Sequence, residues 1–151
     1  MDNLRIDGTV KLAINGDPAR VISFAPDDVL FAERFYSLMV DLREKEQEYK
    51  ARAAELDANQ DADAYGIPTA TPARIALMRE ACDFMRTRID GIFGAGTSEA
   101  AFGEYRSIDM IEQFLKGITP YVAKARNQAT AKYTDPVKAR REAELKQAEK
   151  K

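Results

Sequence analysis

The sequence predicts a mainly α fold with a small N-terminal β-hairpin (α+β), built as a compact helical domain with a projecting charged helix and a C-terminal helical tail. Period-two alternation of apolar residues is confined to residues 4–24. Later segments place apolar residues at steps of three and four, the spacing of one helix face. Residues 135–151 are rich in charge and poor in core residues. Residues 1–134 are therefore expected to form one domain and 135–151 a charged helical or disordered tail.

Within residues 4–24, Val10, Leu12 and Ile14 alternate with Lys11 and Ala13, and Ile22 and Phe24 follow Arg20 and Val21. Asn15-Gly16 between these runs supplies the positive-φ residues of a tight hairpin turn. A lone hairpin is marginal in water, so it needs an apolar floor, which the helices that follow provide.

The next helix spans about residues 26–56. Pro26-Asp27-Asp28 opens it, proline suiting the first turn and carboxylates the positive end. Phe31, Phe35, Leu38, Leu42 and Tyr49 form one stripe. Beyond Leu42 the stripe thins, and opposite charges from Arg43 to Arg52 lie three and four residues apart. That pattern predicts an exposed helix end projecting past the core.

Residues 57–71 read as a mobile loop, punctuated by Asp61, Asp63, Gly66 and Pro68, with Tyr65 and Ile67 as its anchors. Thr71-Pro72 then reads as a capping hydroxyl followed by proline at the first helical position, starting a helix over 72–93. Ile75, Met78, Cys82, Met85, Ile89 and Ile92 line one seam, with Leu77, Ala81 and Phe84 on an adjoining stripe. A seam that broad suits a central core helix.

That helix ends in Gly94-Ala95-Gly96, and Thr97 or Ser98 is expected to cap a short helix over 98–102. Ser107 caps a helix over 108–119, with Ile108, Ile111, Phe114, Leu115 and Ile118 inward. Pro120 then kinks it or starts another over 120–133, on which Tyr121, Val122, Ala125 and Ala129 continue a weaker stripe.

Composition narrows the function classes. With 23 basic and 25 acidic residues the net charge is −2, which gives no field to steer nucleic acid or an acidic membrane. The chain has one cysteine, Cys82, and no histidine. Histidine-based acid–base catalysis, Ser-His or Cys-His pairs, the usual zinc sets and an internal disulfide are thereby excluded. No apolar run approaches the ~18 residues of a membrane span. Nor does the N-terminus read as a secretory signal, so a cytoplasmic location is expected.

Each motif that hints at chemistry has a plainer explanation. Gly94-Ala95-Gly96-Thr97-Ser98 resembles an anion-binding nest but lacks the lysine of a phosphate loop, so capping explains it. Asp57, Asp61 and Asp63 begin like a calcium loop, yet the required glycine and final glutamate are missing. Cys82 lies in the apolar seam and should be buried and inert. Met78 and Met85 share that seam as core filling, with an adaptable docking surface as the other reading. From Lys138 onward six basic residues face three acidic ones without aromatic interleaving. The tail is thus a solvated helix or one that orders on a protein partner, with Lys138, Arg140, Arg141 and Leu145 as candidate contacts. No catalytic residue, metal or cofactor is expected.

The most particular segment is Ile89-Asp90-Gly91-Ile92-Phe93-Gly94-Ala95-Gly96-Thr97-Ser98-Glu99-Ala100-Ala101-Phe102-Gly103. It resembles the I-D-x-x-F-G-x-G-T-x-x-x-x-F-G segment of tail assembly chaperones from long-tailed phages and prophages. The match covers about 15 residues, while the order of hairpin, charged helix and acidic loop is similar over most of the chain. The resemblance implies a non-enzymatic cytoplasmic protein that coats the tape measure protein, keeps it soluble and helps recruit the major tail protein. It also implies a longer product by ribosomal frameshifting, which the terminal Lys150-Lys151 is compatible with. In this reading Phe93, Gly94, Gly96, Thr97, Phe102 and Gly103 form a structural corner, not an active site. A virion-retained minor tail or head–tail connector protein, and a small cytoplasmic adaptor that oligomerises through its helical seam, are the alternatives.

Overall fold

The computed structural model describes residues 1–134 together with Glu144 and Leu145, and side chains within the first span as far as Gln128. Its architecture is α+β and mainly helical: strands β1 (Val10–Ala13) and β2 (Val21–Phe24), then helices α1 (Val29–Asp57), α2 (Thr71–Phe93), α3 (Thr97–Phe102) and α4 (Ile108–Thr134). The predicted tail beyond Thr134, including Lys138, Arg140 and Arg141, lies outside the described residues. Leu145 is described and exposed.

The strands are antiparallel, with Val10 opposite Phe24 and Leu12 opposite Ile22. Alternation turns Ile22 and Phe24 into the core, with Val10 and Leu12 packed partly against it. The hairpin is shorter than predicted, since residues 1–9 are exposed and outside any strand. Its connection is longer. Asn15 and Gly16 do take positive φ (53° and 74°), and the Asp17 amide donates to the Ile14 carbonyl. A second turn follows, Arg20 donating to the Asp17 carbonyl, because Pro18 suits the leading position of such a turn.

Helix α1 begins three residues later than predicted. Pro26 sits in a turn closed by Asp28 N–H to the Ala25 carbonyl, and Asp28 is the N-cap, its carboxylate accepting from Leu30 N–H at 3.0 Å. The charged half of α1 does not project alone. It lies antiparallel along α2, joined by Asp41–Arg88 (2.7 Å), Arg52–Glu80 (2.8 Å) and Asp57–Arg74 (2.8 Å). Lys45 and Arg88 also lie over the Phe84 ring. The Arg52 hydrogen bond holds the exposed Glu80 carboxyl below its ordinary range.

Between α1 and α2 the Asp63 carboxylate accepts from Tyr65 and Ile67 amides (2.8 and 3.0 Å), while Ala62 and Pro68 form an isolated bridge. Asp63 is thus committed to closing its own loop. Tyr65 and Ile67 are exposed at its tip and anchor nothing. Thr71 is not the cap of α2 either. Ala70 holds the N-cap position and makes no side-chain bond, and Thr71-Pro72 are the first two helical residues.

Helix α2 supplies the centre of the core through Cys82, Ile89 and Phe93. Phe93 meets four rings, with centroids 5.6 Å from Phe24, 5.2 Å from Phe31, 6.4 Å from Phe35 and 5.2 Å from Phe114. The predicted seam holds only in this half. Ile75 and Met78 are exposed, and burial in that half falls instead on Leu77 and Ala81 of the adjoining stripe.

Ser107 caps α4, its hydroxyl accepting from Met110 N–H at 3.3 Å. The two predicted helices are one, running through Pro120. An interior proline costs about 3 kcal/mol. Burial of Ile111, Phe114, Leu115, Ile118 and Val122 on one continuous stripe outweighs it. No helix of the described residues is long and apolar enough to cross a membrane.

Candidate functional site

Two features stand out, a hydrogen-bonded corner and the groove whose shape it sets. The corner joins α2 to α4 through α3. Gly94 (φ 117°), Gly96 (φ 86°) and Gly103 (φ 59°) take backbone conformations that side chains disfavour, which is why glycine recurs there. Phe93, Thr97, Ser98 and Phe102 are buried.

The cap of α3 differs from prediction. Gly96 holds the N-cap position, and neither Thr97 nor Ser98 caps the helix. Thr97 turns its hydroxyl back to the Gly94 carbonyl (2.8 Å), and Ser98 donates to the Arg86 carbonyl (2.9 Å). The capping acceptor is the Asp90 carboxylate, one turn earlier on α2, which takes the Ser98 N–H at 2.7 Å. A carboxylate on a helix N-terminal amide is favoured by hydrogen bonding and by the helix dipole.

Two arginines close the corner at its other end. Arg20, beside the hairpin, donates to the Ala100 and Ala101 carbonyls (2.8 and 2.9 Å). Arg86 donates to the Gly103 and Tyr105 carbonyls (2.9 and 3.1 Å). Both satisfy carbonyls that α3 and its exit leave without helical partners. Phe114 of α4 then packs edge-on against Phe93 and Phe102, at 5.2 and 5.5 Å. The corner thereby sets where α4 lies.

Turned away from those rings, α4 presents Ile108, Ile111 and Leu115 to a groove of about 570 Å³ between α1, α2 and α4. Met39, Leu42, Tyr49 and Ala53 form the α1 wall, and Leu77, Met78, Ala81 and Met85 come from α2. Leu77, Ala81, Ile111 and Leu115 are buried at its base, whereas Met78 is 54% exposed. Arg43, Glu46 and Lys50 from α1, and Glu112 and Lys116 from α4, also line it. Glu46 is paired with Lys50 at 3.0 Å. Partial burial raises the Tyr49 phenol above its ordinary pKa.

The groove corrects the core-filling role predicted for Met78, and leaves Met85 half-buried on its surface. The sequence offered a docking surface at Met78 and Met85 only as the second reading, and did not show the α1 and α4 walls. The available signals were the methionine spacing and the seven-residue gap between Leu42 and Tyr49. Cys82, by contrast, is fully buried, and burial with the adjacent Asp83 carboxylate pushes its thiol pKa up. Asp57 is tied to Arg74 and Asp63 to its own loop amides. Among the described residues, no three His, Cys, Asp or Glu side chains converge as metal ligands.

Corner and groove together define a small α+β protein with an apolar surface cleft. Residues 20–148 match a family of unknown function, DUF6673, and the chain belongs to that family. No curated protein and no solved structure matches it.

Proposed function

We propose that this protein is a non-enzymatic tail assembly chaperone of a long-tailed phage or prophage, which binds the tape measure protein in the cytoplasm and keeps it soluble until the tail tube forms. The observation that carries this reading is the groove, open and walled by Met39, Met78, Met85 and Leu42. Thioether side chains are flexible and polarisable, so they repack against different apolar faces. A chaperone for a long helical protein needs that tolerance, with charge around it for solubility.

The Ile89–Gly103 segment supports the same reading by resemblance, and its role as a corner ties it to the groove's shape. The polar groups of the groove also suit docking more than catalysis. Its two carboxylates are Glu46, already held by Lys50, and Glu112.

Mass spectrometry of purified particles and of assembling cells tests the proposal. A chaperone is found with the tape measure protein in cell extracts and is absent from finished particles. Recovery from particles in the copy number of a tail subunit overturns it in favour of a structural component.

A further inference from the structure

We infer that the groove takes one amphipathic helix of about four turns, with an apolar stripe flanked by carboxylates. This rests on the docking reading above and names the chemistry of what docks. The α1 wall runs from Met39 to Ala53. Its fourteen steps at ~1.5 Å each make a wall of about 21 Å, the length of a helix of roughly 14 residues. All three walls are helices, so a fourth completes a bundle with side chains from every wall around it.

Charge selects the flanks. Glu46 is neutralised by Lys50, and Arg43 and Lys116 have no ion-pair partner among the described residues. They stand on different walls, α1 and α4, against one unpaired carboxylate, Glu112. A helix with acidic flanks meets both cations as it buries its stripe. The same balance disfavours the chain's own tail, which from Lys138 onward carries six basic and three acidic residues.

Labelled peptides of ~18 residues, read by fluorescence anisotropy on the full chain, test this. One carries leucines at helical spacing with glutamate flanks, a second has the same composition scrambled, and a third has lysine flanks. Met78→Glu is the variant, chosen because Met78 is exposed and lies outside the hydrophobic core. The patterned acidic peptide should bind at micromolar Kd, about tenfold more tightly than the scrambled one and several-fold more tightly than the lysine version. Met78→Glu should weaken it about tenfold without moving the melting temperature.

Equal binding of patterned and scrambled peptides overturns the inference, as does a Met78→Glu affinity equal to the parent's. A wild-type dimer that Met78→Glu dissociates in sedimentation also overturns it, because a second copy then fills the groove. Capture of the tape measure protein by Met78→Glu as well as by the parent removes the groove but leaves the chaperone. Peptide binding as expected with no tape measure capture does the reverse.

Discussion

The Asp90 carboxylate accepts the Ser98 N–H at 2.7 Å, so the helix that closes the corner is capped from the helix that enters it. This bond locks the chain's direction between α2 and α4. It gives Asp90, four residues before Gly94, a structural duty inside the most particular segment of the sequence. Asp90→Ala should lower stability by about 1–2 kcal/mol, as loss of a capping side chain does. Asp90→Asn keeps an acceptor oxygen and should recover part of that. Chemical denaturation of both variants measures the difference, and equal losses would mean that charge alone matters.

Phe93 stands where the hairpin, α1 and α4 meet, with four rings around it. Phe93→Ala should cost about 3–5 kcal/mol, and Phe102→Ala nearly as much. Tyr105→Ala, at an exposed neighbouring site, should stay within about 0.5 kcal/mol of the parent. Melting curves of the three chains check this order.

Cys82 makes stability fall at alkaline pH. Burial raises its thiol pKa in the fold, so the unfolded chain ionises first as pH rises. The contribution is complete below the unfolded thiol's pKa and is lost as pH climbs through the folded one. Relative to Cys82→Ala, the parent should therefore lose stability over that alkaline window, and the two slopes should agree near neutrality. A disulfide reagent should label the native thiol only as fast as the protein opens.

Every residue of the described core precedes Ala123. Deleting residues 136–151 should accordingly leave the melting temperature within a few degrees of the parent. If Lys138, Arg140, Arg141 and Leu145 contact the partner, the same deletion weakens tape measure capture several-fold. Unchanged capture removes the tail from the binding surface.

The fold class was legible because periodicity marks it directly, as in the alternation around Leu12 and Ile22 and the inward stripe of α4. Element edges were less so. Pro26 and Thr71-Pro72 carry helix-start chemistry, yet Asp28 and Ala70 hold the cap positions, since a local turn competes for the same residues. Pro120 read as a break because sequence shows the lost hydrogen bond but not the packing that outweighs it. The groove was the hardest to see. Met78 has the spacing of a core residue, and only the placement of α1 and α4 shows that nothing described covers it.

The central claim is that this chain keeps a tape measure protein soluble by holding it directly. Co-expression of that protein with and without this chain, followed by quantifying it in the soluble fraction, tests this most directly. The tape measure protein should be insoluble alone, and soluble and co-purifying when this chain is present. A soluble fraction that does not change, with no co-purification, contradicts it.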